Sequence, residues 1–266
     1  MARTDTLPHF LTDVADAIRE KKGTEETIQA SDFDTEIANL PSGGGGATPT
    51  KGFTITEWDN DGYAKAIKIY GLPKLPTNAF KFSSAWALML SKIESYDFNN
   101  VVTDIGMGGL FKNEQLTEVK NWGSLVKIER DGFSYCSKFN PKVLPDSLTY
   151  LDEKSFSECS GITQISMKNV TNLMGSSSKW GAFYNCKNLK AVWIGSSIGT
   201  TQSYIFQGCT NLSKIFIDLP RARVQKLGGY SYAFMDDTSK TGIIVCNDDE
   251  GFITKEEFDA IDWSTQ

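Results

Sequence analysis

The chain has 266 residues, 27 of them basic and 33 acidic, for a net charge of -6, with 40% hydrophobic and 12% aromatic residues. That apolar fraction can fill a core, whereas Lys and Arg scattered among more numerous carboxylates give none of the clustered positive charge that follows a phosphate backbone, so nucleic acid is not an expected partner. No stretch approaches the roughly 20 apolar residues that cross a bilayer, and the N-terminus has no continuous apolar run of the secretory kind, so no membrane insertion is expected.

Residues 1–42 read as a small α-helical module. Phe10, Leu11, Val14, Ala15 and Ile18 recur at helical spacing, which predicts an amphipathic helix from about Pro8 to Lys22, ended by Gly23. Ser31 is a good N-cap for a second short helix through Phe33 and Ile37 to Leu40. Helices this short are marginal alone. The stripe of Leu11, Val14 and Ile18 is therefore the expected partner-binding anchor, covered by another protein chain either in a homo-oligomer, most simply a trimer, or on a docking partner. Residues 43–50 form a Gly-rich linker.

Residues 51–71 predict a β-hairpin. Phe53 and Ile55 face Ile67 and Ile69 across Asn60-Asp61-Gly62, a turn sequence, and the hairpin is placed to cap the first coil of a repeat array. From 72 to 245 one phrase recurs: a large apolar residue, Cys three positions on, and apolar residues at six, nine and often eleven. It reads Phe133, Cys136, Phe139; Phe156, Cys159, Ile162, Ile165, Met167; Phe183, Cys186, Leu189, Val192, Ile194; Phe206, Cys209, Leu212, Ile215, Ile217. Successive Phe positions are 23, 27 and 23 residues apart, the period of a stacked repeat. Degenerate copies start at Leu110 and Phe234, and another opens near Phe80. Each short strand sends its ninth and eleventh residues inward, with Leu125/Ile128 and Leu148/Leu151 lining the return segment. Four of the five cysteines share one repeat position, which predicts a ladder of buried thiols acting as compact hydrophobes instead of disulfide or metal chemistry.

The segments "LPDSLTYLDEKSFSECSGITQI" (144–165) and "AFYNCKNLKAVWI" (182–194) resemble the BspA-like leucine-rich repeat. The resemblance implies a β-rich solenoid over 72–245, departing from the pattern at Pro141 and at extra residues in "LMGSSSKW" and "DLPRARVQKLGGY", which are expected to bulge as loops. The N-terminal stretch "LTDVADAIREKKGTEETIQASDFDTEIANLPSGGG" is similar to the leading segment of tail, baseplate and fibre proteins from phages and prophages of Gram-positive hosts. It is carried here by Val14, Ala15, Ala17, Ile18, Arg19, Lys21, Gly23, Ile28, Ala30, Asp32, Phe33 and Ile37.

Residues 246–266 predict a C-terminal cap: an acidic turn, then a closing helix near Lys255 to Ile261 that covers the last coil. Asp248, Glu250, Gly251, Ile253 and Glu257 fall at calcium-loop spacing, but Cys246 stands where the first carboxylate belongs and a β-like run replaces the entering helix, so no metal is expected there. His9 is the one histidine and lies in the helical module, "GMGG" at 106–109 lacks the Lys of a phosphate loop, and Asp236-Asp237 read as solvated loop residues. The chain is accordingly expected to be no enzyme and to need no cofactor. Trp193 and Phe216 occupy outward strand positions in adjacent repeats, with Ser166 and Ile244 as their neighbours on either side. They are either a surface-binding pair or a patch covered by the C-terminal helix or the loop 219–232.

Together the two resemblances imply a virion structural protein of the tail-fibre or baseplate kind, made in the host cytoplasm. Residues 1–42 would dock on other virion proteins, and the repeats would meet a host cell-surface receptor, a glycan or a neighbouring subunit. The alternative is a bacterial BspA-like surface adhesin or interaction protein.

Overall fold

The structure, a computed structural model, describes residues 51–60, 63–80, 92–176, 178, 180–227 and 244–265. The helical module with Leu11, Val14 and Ile18, the linker, the Asp61-Gly62 turn and the start of the Phe234 copy lie outside the described residues.

Apolar residues at repeat spacing dictate a coil that stacks on its own copies. Its return side is one six-stranded parallel sheet built from β3 (Lys74–Leu75), β5 (Asp104–Ile105), β7 (Lys127–Ile128), β9 (Tyr150–Leu151), β11 (Asn172–Leu173) and β13 (Thr200–Thr201). Leu125, Ile128, Leu148 and Leu151 are fully buried behind it, as expected. The front side carries β1 (Gly52–Trp58), β2 (Ala64–Tyr70), β4 (Ser95–Asp97) and β6 (Glu118–Lys120) in one four-stranded sheet. A second front sheet, of five strands, holds β8 (Lys142–Val143), β10 (Gln164–Met167), β12 (Ala191–Ile194), β14 (Lys214–Ile217) and β15 (Ile244–Cys246). The predicted hairpin forms with Phe53 opposite Ile69 and Ile55 opposite Ile67, and β2 pairs parallel with β4, so the hairpin extends the front sheet at its N-terminal end.

A third ladder runs along the corner that holds the Phe positions. The amides of Leu110, Phe133 and Phe156 each donate to the next repeat, to the carbonyls of Gly132, Ser155 and Ala182, all at 2.8 Å. The rings follow the backbone: Phe133, Phe156, Phe183 and Phe206 stack with centroids 5.2, 5.4 and 5.5 Å apart. The corner is tight enough to need left-handed backbone two residues after each of these positions, at Lys112, Tyr135, Glu158, Asn185 and Gly208, with φ between 56 and 77°. Four of the five are not glycine, so the stack tolerates a cost of about 1 kcal/mol at each turn in exchange for its hydrogen bonds and burial.

The cysteines form the ladder that their spacing predicts, with a polar duty besides packing. Each thiol is fully buried, and those of Cys159, Cys186 and Cys209 donate to the carbonyls of Phe133, Phe156 and Phe183, one repeat earlier, at 3.0 to 3.1 Å. Cys136 does the same to Leu110 at 3.2 Å. Where the degenerate copy has Asn113 instead, its amide donates to Phe80 O and Leu110 O and its carbonyl accepts from the buried Tyr96 hydroxyl. A small donor is therefore what the position requires, because an unpaired carbonyl inside the coil would carry its full desolvation cost.

Pro141 does more than bulge a loop: the front sheet breaks there. In the intact repeats the amide before the strand donates to the preceding repeat, Thr117 to Glu94 O, Lys190 to Thr163 O and Ser213 to Lys190 O. Beside the break, between β8 and β10, the Asn140 side chain takes that role, its Oδ1 accepting from Thr163 N–H at 3.5 Å and its Nδ2 donating to Thr163 Oγ1 at 3.3 Å. Proline has no N–H to give a ladder. Lys142, which pairs with Ile165, stands exposed in left-handed backbone at φ 47° instead of entering the core. The insertion at 219–227 is also no plain loop, since it opens with α1 (Arg221–Val224) and packs Val224 and Leu227 into the main core.

Candidate functional site

The pairing of the second front sheet sets Val143, Ser166, Trp193, Phe216 and Val245 in one outward row. The neighbour of Phe216 on the far side is thus Val245, not Ile244 as expected. Ile244 pairs with Ile215, and Cys246 takes the inward place opposite Ile217 and is fully buried. In the run Ile243 to Cys246 no polar residue marks the alternation, and a shift of one residue exchanges every face.

Trp193 and Phe216 come together in adjacent strands and are only 5% and 4% exposed, so of the two alternatives the structure has the covered patch and not the open pair. The C-terminal segment covers them. After β15 the chain turns through Gly251, at φ 83°, and reaches α2 (Lys255–Ala260). Thr254 and Glu257 cap that helix reciprocally: Thr254 N–H donates to Glu257 Oε2 at 2.8 Å and Glu257 N–H to Thr254 Oγ1 at 3.3 Å. Phe258 is fully buried, its ring centroid 6.0 Å from Phe216 and 5.4 Å from Trp263, and Phe252 lies 6.5 Å from Phe216. Trp193 Nε1 donates to Ile253 O at 3.1 Å, Trp263 N–H to Gln164 Oε1 at 3.2 Å, and Lys190 Nζ to Ser264 O at 2.8 Å. The closing helix forms where predicted but lies along the front sheet, reaching back to β10, where two aromatic rings on the sheet offer it an apolar surface to cover.

The acidic turn uses its carboxylates internally. Asp248 Oδ1 accepts from Arg221 N–H at 2.8 Å, Asp249 pairs with the Arg221 guanidinium and accepts from Cys246 N–H, and Glu257 is the helix cap. Cys246, at the first position of the calcium-like spacing, faces the core, and burial pushes its thiol up to about 11. Beside the cover a shallow cavity of ≈ 280 Å³ has Trp193 and Phe252 on its walls and Lys168, Asp218, Lys255 and Glu256 at its rim.

Reading outward strand positions alone missed a second aromatic. Trp180, in the insertion after β11, is 36% exposed, with Lys154 Nζ 3.5 Å from its ring centroid and Arg130 Cζ 5.6 Å away. Arg130 also meets Glu153 at 3.7 Å. A Trp inside residues that break the repeat, where no inward position calls for it, is the signal that could have found this cluster. It presents two cations and an aromatic face on the open side of the coil.

The model of the BspA type leucine rich repeat region matches this chain in six copies, over residues 83–213 and 177–248, more than half of its length. No curated protein matches. Among solved structures, a leucine-rich repeat protein of T. pallidum is 19% identical at a TM-score of 0.46, over 68% of this chain and 95% of that one. A leucine-rich repeat protein from Eubacterium ventriosum is 13% identical at 0.41, over 57% of this chain and 39% of that one. A leucine rich cell surface protein from Faecalibacterium prausnitzii is 17% identical at 0.39, over 65% of this chain and 41% of that one.

Proposed function

The chain belongs to the BspA-type leucine-rich repeat family, and on that premise we propose that it is a non-enzymatic interaction protein of the surface-adhesin kind, whose repeats hold a protein or glycan partner. The observation that carries this reading is the division of labour within each repeat. The recurring apolar, Cys and Phe positions are spent on the core, while the outward return positions form a regular polar array, Lys74, Asp104, Lys127, Tyr150, Asn172 and Thr200, beside the exposed Trp180 cluster. Such an extended array meets a large partner at low cost to the fold. Its test is a panel of extracellular proteins and glycans probed with the full chain and with Trp180→Ala. Binding that the substitution removes at unchanged thermal stability supports the reading, and binding indifferent to Trp180, or turnover of a panel member, overturns it.

A second reading rests on residues 11–45, whose pattern is similar to the leading segment of phage tail and baseplate proteins. On it, the chain is a virion protein anchored through Leu11, Val14 and Ile18. A mass-spectrometric inventory of purified virions, with and without residues 1–42 in the gene product, decides it: incorporation of the truncated chain removes the anchor.

A further inference from the structure

Two aromatic rings on the open side of the coil each have a cation close to them. Trp180 keeps 36% of its surface exposed with Lys154 Nζ 3.5 Å from its ring centroid, and that ammonium has no carboxylate partner among the described residues. Tyr150, half-buried in β9, has Lys127 Nζ 5.1 Å from its ring. A ring face that draws an ammonium group also draws the weakly positive C–H groups of a sugar. Lys154 is tied to no carboxylate, so it is free to give way to one.

The polar groups that link the rings are of both kinds. The Arg130 guanidinium, 5.6 Å from Trp180, has Glu153 Oε2 at 3.7 Å and Asp131 Oδ2 at 3.8 Å, beyond hydrogen-bond distance, so its donors remain unspent. Burial, and then the charges of Asp152, Glu129 and Glu153, push the Tyr150 hydroxyl up, so it stays a donor. Asn172 follows Tyr150 in the outward row of the return sheet. Its Oδ1 accepts from Thr171 Oγ1, and its amide nitrogen has no partner among the described residues.

Charge decides the class of ligand. Three cations, Lys127, Arg130 and Lys154, stand against four carboxylates, Glu129, Asp131, Asp152 and Glu153, which leaves one negative charge. That is the wrong sign for an acidic ligand. It is also too little for a basic one, since Glu129 is already shared by Lys74 and Lys127 at 3.0 and 3.4 Å. A neutral hydroxyl both donates and accepts, so it uses the Arg130 and Asn172 donors and the Glu153 acceptor without leaving a charge unpaired.

We propose that the surface from Tyr150 to Trp180 binds a neutral oligosaccharide, with the two rings as platforms for sugar C–H faces and Arg130, Glu153 and Asn172 meeting the hydroxyls. This rests on the reading of the chain as an interaction protein and narrows its partner from protein or glycan to an uncharged glycan.

The full chain is probed on an array of neutral tetrasaccharides of glucose, N-acetylglucosamine, mannose and galactose, with tetragalacturonate as the acidic counterpart, and every sugar held is titrated by calorimetry. At least one neutral sugar should bind, and added salt should leave its affinity unchanged. Trp180→Ala and Tyr150→Ala should each weaken it by about tenfold or more, and Trp180→Phe, which keeps a ring, by about threefold at most. Thermal unfolding checks each variant, and Trp180→Ala carries the test if Tyr150→Ala fails to fold. Capture of tetragalacturonate alone, or of no sugar, overturns the proposal; a protein partner that Trp180→Ala then loses would leave the interaction reading standing without it. Neutral-sugar binding that both ring variants leave unchanged places the sugar elsewhere and overturns this site.

Discussion

The two front sheets lie on the same core and differ in what they turn outward. In the four-stranded sheet the outward row is Lys68, Asp97 and Lys120, and Lys68 pairs with Asp97 at 3.6 Å. In the five-stranded sheet the equivalent row is Val143, Ser166, Trp193, Phe216 and Val245, and a segment from the C-terminus lies over Trp193, Phe216 and Val245 while Val143 stays exposed. The inward positions are alike in both, Ile67, Tyr96 and Val119 in one and Ile165, Val192 and Ile215 in the other. The repeat thus fixes the coil through its inward residues and leaves the outward residue free to declare what it meets, water in the first sheet and protein in the second. Pro141 stands at the boundary between these regions.

The largest effect tests whether the two regions share one core. Phe183→Ala removes a ring stacked between Phe156 and Phe206 and should destabilise the chain by about 3 to 5 kcal/mol, through lost burial and a cavity that the rigid stack cannot close. Denaturant unfolding should remain one transition with a lower midpoint; two transitions would show that the regions unfold separately. The Cys159 thiol reports the same opening. Burial pushes it well above its ordinary range, so a thiol reagent should label it only at the rate of global unfolding, and rapid labelling of the native chain would contradict the ladder.

The next effect is confined to one region. Phe258→Ala should cost the cover about 3 kcal/mol at most, because beyond that the segment detaches and further loss is not felt by the solenoid. Hydrogen exchange should then lose protection over 252–265 and leave the Phe corner unchanged. Equal loss at both would make the cover part of the main core. Smaller still is the boundary itself. Lys142→Gly relieves left-handed backbone and should stabilise by about 1 kcal/mol. Lys120→Gly, at an exposed position of the regular strand β6, should destabilise by roughly 0.5–1 kcal/mol. The same sign at both positions would remove the account of the break.

How much of this molecule is legible in its sequence depends on how each feature is enforced. The inward residues, the Cys ladder and the leading hairpin are legible because burial demands the same residue types at fixed spacing in every copy. The break at Pro141 is visible as a departure, but its consequence, two front sheets, depends on a backbone bond between repeats. Trp193 and Phe216 are legible as outward neighbours. Their cover is not, since Ile253 lies sixty residues beyond Trp193, and a helix of six residues is too short for its periodicity to point at a target. Trp180 escaped because it stands in residues that obey no repeat. Leu11, Val14 and Ile18 lie outside the described residues, so their anchoring role is a matter for the truncation experiment.

The smallest effect concerns the turn that joins the two parts of the covered region. The side-chain hydrogen bond from Arg221, with the Cys246 amide, holds the Asp249 carboxyl below the usual carboxylate range. A carboxylate depressed in this way stabilises the fold at pH above its unfolded value, near 4, and loses that contribution as pH falls through its lower folded value. Asp249→Asn should therefore unfold more easily than the wild type at neutral pH, and the two should converge as the solution is acidified below about 3. Because the pair is open to solvent, added salt should narrow the neutral-pH gap. A gap that persists in acid would assign the role of Asp249 to the shape of the turn instead of its charge. The join between β15 and the cover would then be insensitive to pH, and acid would release the cover only by unfolding the solenoid with it.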